Sequence, residues 1–167
     1  MKNGLKNGLD FGQNNKELSQ KLVQTANLSL QPYKEVKSDI SESLNNENPW
    51  VRYWGLITCS SFGIEASEHL EKINYLFIND SENLVKMGAG EYLMLNDYKI
   101  DSSNRSALLK FATSESEANL MLNSLALIKT KNPNYKLELS KSVFPDNWFK
   151  TENALVNRRM NYLTNNE

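Results

Sequence analysis

Apolar residues recur at helical spacing along most of the chain. Leu18, Leu22, Val23 and Ala26 mark a helix within Lys16 to Leu30, Tyr33, Val36, Ile40 and Leu44 a second, and Ala66, Leu70, Ile73 and Phe77 a later one. Steps of three and four residues put each set on one side of a 3.6-residue turn, which predicts amphipathic helices that bury one face. Local signals mark where helices begin and end. Asn48 suits an N-cap, Pro49 a first turn in which its missing N–H costs nothing, and Gly63 the position just past that helix. Asp80-Ser81-Glu82 announces the next helix and Asn96-Asp97 ends it, while Ser114-Glu115-Ser116-Glu117 has the form of a capping box. Asn104 to Ala112, carrying Leu108 and Leu109, reads as a shorter helix. Asn153 to Leu163 reads as a last helix that lays Leu155, Tyr162 and Leu163 over the open end. Lys129 to Asn134 is a polar turn, and Tyr135 to Trp148, broken by Pro145, has no clean period and reads as irregular.

The pattern repeats. Asn48-Pro49-Trp50-Val51-Arg52-Tyr53-Trp54-Gly55 lies over Glu82-Asn83-Leu84-Val85-Lys86-Met87-Gly88-Ala89 at an offset of 34 residues, so that Val51 meets Val85, Arg52 meets Lys86 and Gly55 meets Ala89. A fainter copy at Asn119-Leu120-Met121-Leu122-Asn123-Ser124 keeps Leu120 in the valine place and Ser124 in the small place, without the basic residue. Periods of this size belong to paired helices stacked so that each hairpin buries its apolar face on its neighbours. The expected architecture is all-α, a right-handed α-α superhelix of about three helical hairpins. It spans residues 16–163, after a flexible segment 1–15 and before a tail 164–167.

Composition narrows the function. The 167 residues are 40% apolar, enough for one continuous core. Nineteen basic against twenty acidic residues leave a net charge of -1, which offers no field to nucleic acid or an anionic membrane. No stretch reaches the roughly 18 apolar residues of a membrane span, and the first residues lack a signal-peptide core. One cysteine, Cys59, and one histidine, His69, can form neither an internal disulfide nor a zinc site, so no metal or cofactor is expected.

Asn48-Pro49-Trp50-Val51-Arg52-Tyr53-Trp54 resembles the start of an inner helix of the HEAT family, which commonly opens Pro-x-Val-Arg. With Gly55-Leu56-Ile57, Glu82-Asn83-Leu84-Val85-Lys86 and the upstream Ala26-Asn27-Leu28-Ser29, the chain is similar to the HEAT-type extension that follows the catalytic domain of some bacterial sulfatases. The resemblance spans roughly residues 16 to 163 and is sharp only at 48 to 63 and 80 to 93. It implies an armadillo-like module that does no chemistry itself, packs on a hydrolase catalytic domain or shapes its cleft, and belongs to a periplasmic or secreted parent. The enzyme's own signature is missing, because Cys59 precedes Ser60-Ser61-Phe62-Gly63 and not x-Pro-Ser-Arg. A free-standing scaffold gripping a peptide or protein on its concave face is the rival expectation.

Candidate chemistry is sparse. Cys59 with His69 as base is one conceivable nucleophile pair, against which a lone cysteine between helices reads as packing and His69 as a surface residue. Met87-Gly88-Ala89-Gly90 lacks the strand and third glycine of a dinucleotide loop and reads as close helix approach. Adjacent Arg158 and Arg159, with Lys150 not far before, are the nearest thing to an anion-binding patch, but neighbours on a helix diverge by about a hundred degrees and read as a solvated helix end. Arg52 and Lys86, recurring at one repeat position, are expected to form a structural ladder by reaching a carboxylate or helix-end carbonyls next door. Trp50, Tyr53 and Trp54 are the candidate contact for another domain or partner, with Trp54 expected in the core and Trp50 at a boundary.

Overall fold

The computed structural model describes residues 12–98, 108–131 and 154–164, and these are helical with no strand among them. Seven α-helices follow in order: α1 Lys16–Asn27, α2 Tyr33–Leu44, α3 Pro49–Phe62, α4 Leu70–Asn79, α5 Asn83–Leu95, α6 Glu115–Lys131 and α7 Ala154–Thr164. Short 3-10 segments occupy Leu28–Leu30, Gly63–His69 and Leu108–Phe111. The expectations for residues 1–11, 104–107, 132–153 and 165–167 lie outside the described residues.

Helix ends follow the local signals. Asn48 Oδ1 accepts the Trp50 N–H at 2.9 Å with Pro49 beside it, and Asp80 Oδ1 accepts the Glu82 N–H at 2.9 Å. The first satisfies a donor that a first helical turn leaves without a partner, and the second fixes the turn that leads into α5. Gly63 closes α3 at φ +59°, and Asp97 follows α5 at φ 57°, both in the left-handed region. At α6 the Glu117 carboxylate accepts the Thr113 and Ser114 N–H groups at 2.8 and 2.9 Å, while Ser114 Oγ accepts the Glu117 N–H at 3.3 Å. That reciprocal capping box starts α6 four residues before Asn119.

α3 packs against α1 and α5, α5 against α3 and α6, and α6 against α7; α2 lies on α3, and α4 on α5. Ile40 and Leu44 of α2, Leu56 of α3, Ile73 of α4, Val85 and Tyr92 of α5, and Leu122 and Leu125 of α6 meet in one buried core. Polar contacts between packed segments recur near the repeat spacing. Thr58 Oγ1 donates to the Thr25 carbonyl at 3.1 Å across 33 residues, Ser124 Oγ to Glu91 across 33, and Lys129 Nζ to the Tyr162 carbonyl across 33. Tyr33 donates to Glu68 across 35, and Lys131 Nζ to the Leu95 carbonyl at 3.3 Å across 36.

Several side chains sit differently from the sequence expectation. The segment from Gly63 to His69 winds as a 3-10 helix before α4, which turns His69 inward, 9% exposed, with the Tyr33 ring edge-on at 6.3 Å. On α7 the buried side is Val156, Met160 and Leu163, whereas Leu155 and Tyr162 are exposed, because α6 meets that helix one step further round. In the third copy Leu120 is half-buried, and Met121 and Leu122 fill the core instead.

Candidate functional site

The exposed side of α3 carries Trp50 and Trp54, 37% and 36% exposed, with Ile57 half-buried and Ser61 exposed on the same stripe. Steps of four, three and four residues align them on one side of the helix. Trp54 is therefore not core as expected, and Tyr53 takes the inward place, 9% exposed. Its partner decides this. A Cβ on Gly88 of α5 would stand 3.0 Å from Tyr53 Cδ2, so the bare glycine is the hollow that receives the phenol ring. Tyr53 then meets Trp54 edge-on at 6.2 Å between ring centres.

The equivalent stripe on α5 contains Leu84, Gly88, Glu91 and Leu95, all buried or half-buried. Because α5 packs between α3 and α6, this stripe forms a floor between them, with half-buried Asn119 and exposed Asn123 on the α6 side. Glu91 is the one ionisable group there. Burial raises its carboxyl above the usual range, the Ser124 hydrogen bond pulling partly back, and burial followed by the nearby Glu91 charge pushes the Tyr53 phenol up to about 12. Beyond it, Arg159 of α7 reaches onto α6. Its Nε donates to Asn123 Oδ1 and its Nη1 to Asn119 Oδ1 at 3.0 Å, so Arg159 is held in place, while Arg158 is exposed as expected of a solvated helix end.

Arg52 lies on the other side of α3. Its Nε donates to Asp80 Oδ2 at 2.8 Å and its Nη2 to Asp80 Oδ1 at 2.9 Å, a fork-to-fork pair with side chains 13% and 4% exposed. Nη1 adds the Asn46 and Glu47 carbonyls at 2.8 and 2.9 Å. Arg52 thus ties the turn entering its own helix to the turn entering α5. Lys86, its counterpart, makes a different contact, with Nζ 5.5 Å from the centre of the Phe111 ring.

Cys59 is buried, and burial pushes its thiol up to about 12, which disfavours the thiolate that nucleophilic attack requires. Burial likewise lowers His69 below its usual value, Glu68 opposing and Lys37 adding; its Nε2 is buried without a hydrogen-bond partner, and Cys59 and His69 share no hydrogen bond. Among the described residues no group of three or more His, Cys, Asp or Glu is placed to hold a metal ion, and no helix is long and apolar enough to cross a membrane. A cavity of about 450 Å³ between α1 and α2 is lined by polar groups including Gln24, Asn27, Gln31 and Asp39, with Lys21 and Glu42 paired at 2.7 Å on its wall.

Glu91, and the contacts that tie Ser124 to Glu91 and Arg159 to Asn119 and Asn123, are parts of this face that the sequence expectation missed; Arg159 itself enters that expectation only as half of an anion-binding patch with Arg158. The signal was the repeat period: Glu91 and Ser124 stand 33 residues apart, and Asn123 and Arg159 stand 36 apart. Comparison with models of protein families, with curated proteins and with solved structures finds nothing that matches this chain.

Proposed function

We propose that this chain is a non-catalytic HEAT-like module, an α-α superhelix of about three hairpins, that holds a protein surface on the face built by α3, α5 and α6. Two observations support the superhelix: the order in which the helices pack, and the polar bridges recurring at 33 to 36 residues. The observation that carries the docking role is the pair of tryptophans. Trp50 and Trp54 stand exposed one turn apart above a floor whose only ionisable group, Glu91, burial drives toward its neutral form. Large, stiff aromatic side chains with little charge around them are the usual anchors of a protein interface.

The occupant we propose is the catalytic domain of a sulfatase-like hydrolase, on the strength of the resemblance of residues 48 to 63 and 80 to 93. The reading frame upstream of Met1 tests the parentage: continuous coding sequence with Cys-x-Pro-Ser-Arg supports it, and a start codon with its own ribosome-binding site sinks it. In the first case the two parts are produced separately and their association measured by calorimetry. Trp50→Ala with Trp54→Ala is expected to weaken it at least tenfold, each anchor contributing about 1–2 kcal/mol. Unchanged affinity overturns the docking role, as does sulfate-ester hydrolysis by the chain alone that Cys59→Ala abolishes. A free-standing scaffold for another protein partner is the second reading, favoured by the same exposed tryptophans.

A further inference from the structure

We propose that Arg159 is a docking point for a carboxylate, supplied by an acidic side chain of the protein surface that this face holds. Arginine is permanently cationic, and its planar guanidinium matches a carboxylate through paired N–H bonds, as Arg52 matches Asp80. Arg159 has no such match among the described residues. Its Nε and Nη1 donate to the side-chain oxygens of Asn123 and Asn119, both neutral, and none of the three ion pairs among the described residues includes it. The carboxylate of Glu91, on α5 beyond α6, accepts from the Ser124 hydroxyl and makes no ion pair with Arg159 among the described residues.

The clamp is built to leave donors free. Asn119 Nδ2 donates to the Glu115 carbonyl at 3.2 Å, which fixes its oxygen toward the guanidinium. Asn123 must also present oxygen to the arginine, so its Nδ2 faces away and makes no hydrogen bond to the described residues. Among the described residues two Nη2 hydrogens and one on Nη1 are left without an acceptor, and these can bind a planar, singly charged group. Arg158 sits about 100° round the helix and is exposed, so one cation serves the point. That matches a carboxylate better than a doubly charged phosphate. Aspartate at position 123 would fit the same space and neutralise the guanidinium internally; asparagine leaves the charge for a partner.

The source of the carboxylate rests on the docking role proposed above, whereas the site itself can be tested on the chain alone. The Nε–Hε resonance of Arg159, assigned by its loss in Arg159→Lys, is followed by NMR against acetate, chloride and inorganic phosphate at matched ionic strength. Acetate is expected to shift it saturably, chloride not at all, and phosphate more weakly than acetate. Asn123→Asp should abolish the acetate response and raise the urea midpoint, and Arg158→Gln should leave both unchanged. An equal response to chloride, tighter binding of phosphate, or an acetate response surviving in Asn123→Asp overturns the inference. Such a failure, with Trp50→Ala and Trp54→Ala still weakening association, would leave the docking role standing.

Discussion

Replacing Arg52 by methionine keeps the aliphatic stem of the side chain and removes the guanidinium, leaving the Asp80 carboxylate, 4% exposed, with only the Glu82 N–H as partner among the described residues. Removing one member of a buried ion pair costs about 3 kcal/mol, because the remaining charge has lost its solvent and its counterion together. Asp80→Asn attacks the same link from the other side. Its amide oxygen can still cap the Glu82 N–H, but its NH2 then faces the Arg52 Nε–H, donor against donor. The double variant removes both charges and the clash, so the effects should fall short of additive by about 2 kcal/mol. Lys86→Met is the internal comparison: its contact is one ring, and the loss should be about 0.5–1 kcal/mol. Urea unfolding followed by circular dichroism at 222 nm reads all four variants; with a slope of about 2 kcal/mol per molar, each Arg52 or Asp80 single variant moves the midpoint by about 1.5 M. Additive effects, or single variants within about 0.5 kcal/mol of the parent, would show that Arg52 is a surface group and refute its role in tying α3 to α5.

Gly88→Ala should destabilise by about 1–2 kcal/mol in the same assay, the alanine's gain in helix propensity being outweighed by its Cβ meeting the stiff Tyr53 ring at 3.0 Å. Glu91 is held above its ordinary value of 4.5, so the folded chain binds that proton more readily than the unfolded one, and the associated stability is complete below pH 4.5 and lost as pH rises through the raised value. Glu91→Gln, which can still accept from Ser124, should therefore raise the Tm at pH 7–8 by scanning calorimetry, with a difference that shrinks toward pH 4. His69 is held below its ordinary 6.5, so its contribution is complete above pH 6.5 and is lost as pH falls below that value. His69→Phe should flatten the stability profile on that acid side. Cys59, buried with its thiol pushed up to about 12, should resist DTNB in the native chain at pH 8 and react once per chain in urea; rapid native labelling would contradict its burial.

The helices and their ends were legible because they depend on neighbours within a turn or two. Pro49 after Asn48, the left-handed Gly63 and the Ser114–Glu117 box act through backbone N–H and C=O groups at fixed short separations, and the structure places a helix boundary at each. The all-helical class follows from the same periodicity. What each helix turns toward its neighbour was not local. Tyr53 and Trp54 are both large aromatics one residue apart, and only the missing side chain of Gly88, 35 positions on, decides that the tyrosine goes in and the tryptophan stays out. His69 is buried because a 3-10 segment rotates it by an amount that an α-helical count cannot give. Glu91 with Ser124, and Arg159 with Asn119 and Asn123, acquire meaning only when α5, α6 and α7 lie side by side. Sequence alone determined where this chain coils; packing between helices decided which charges and rings are left to face a partner, since burial depends on what the opposite surface presents.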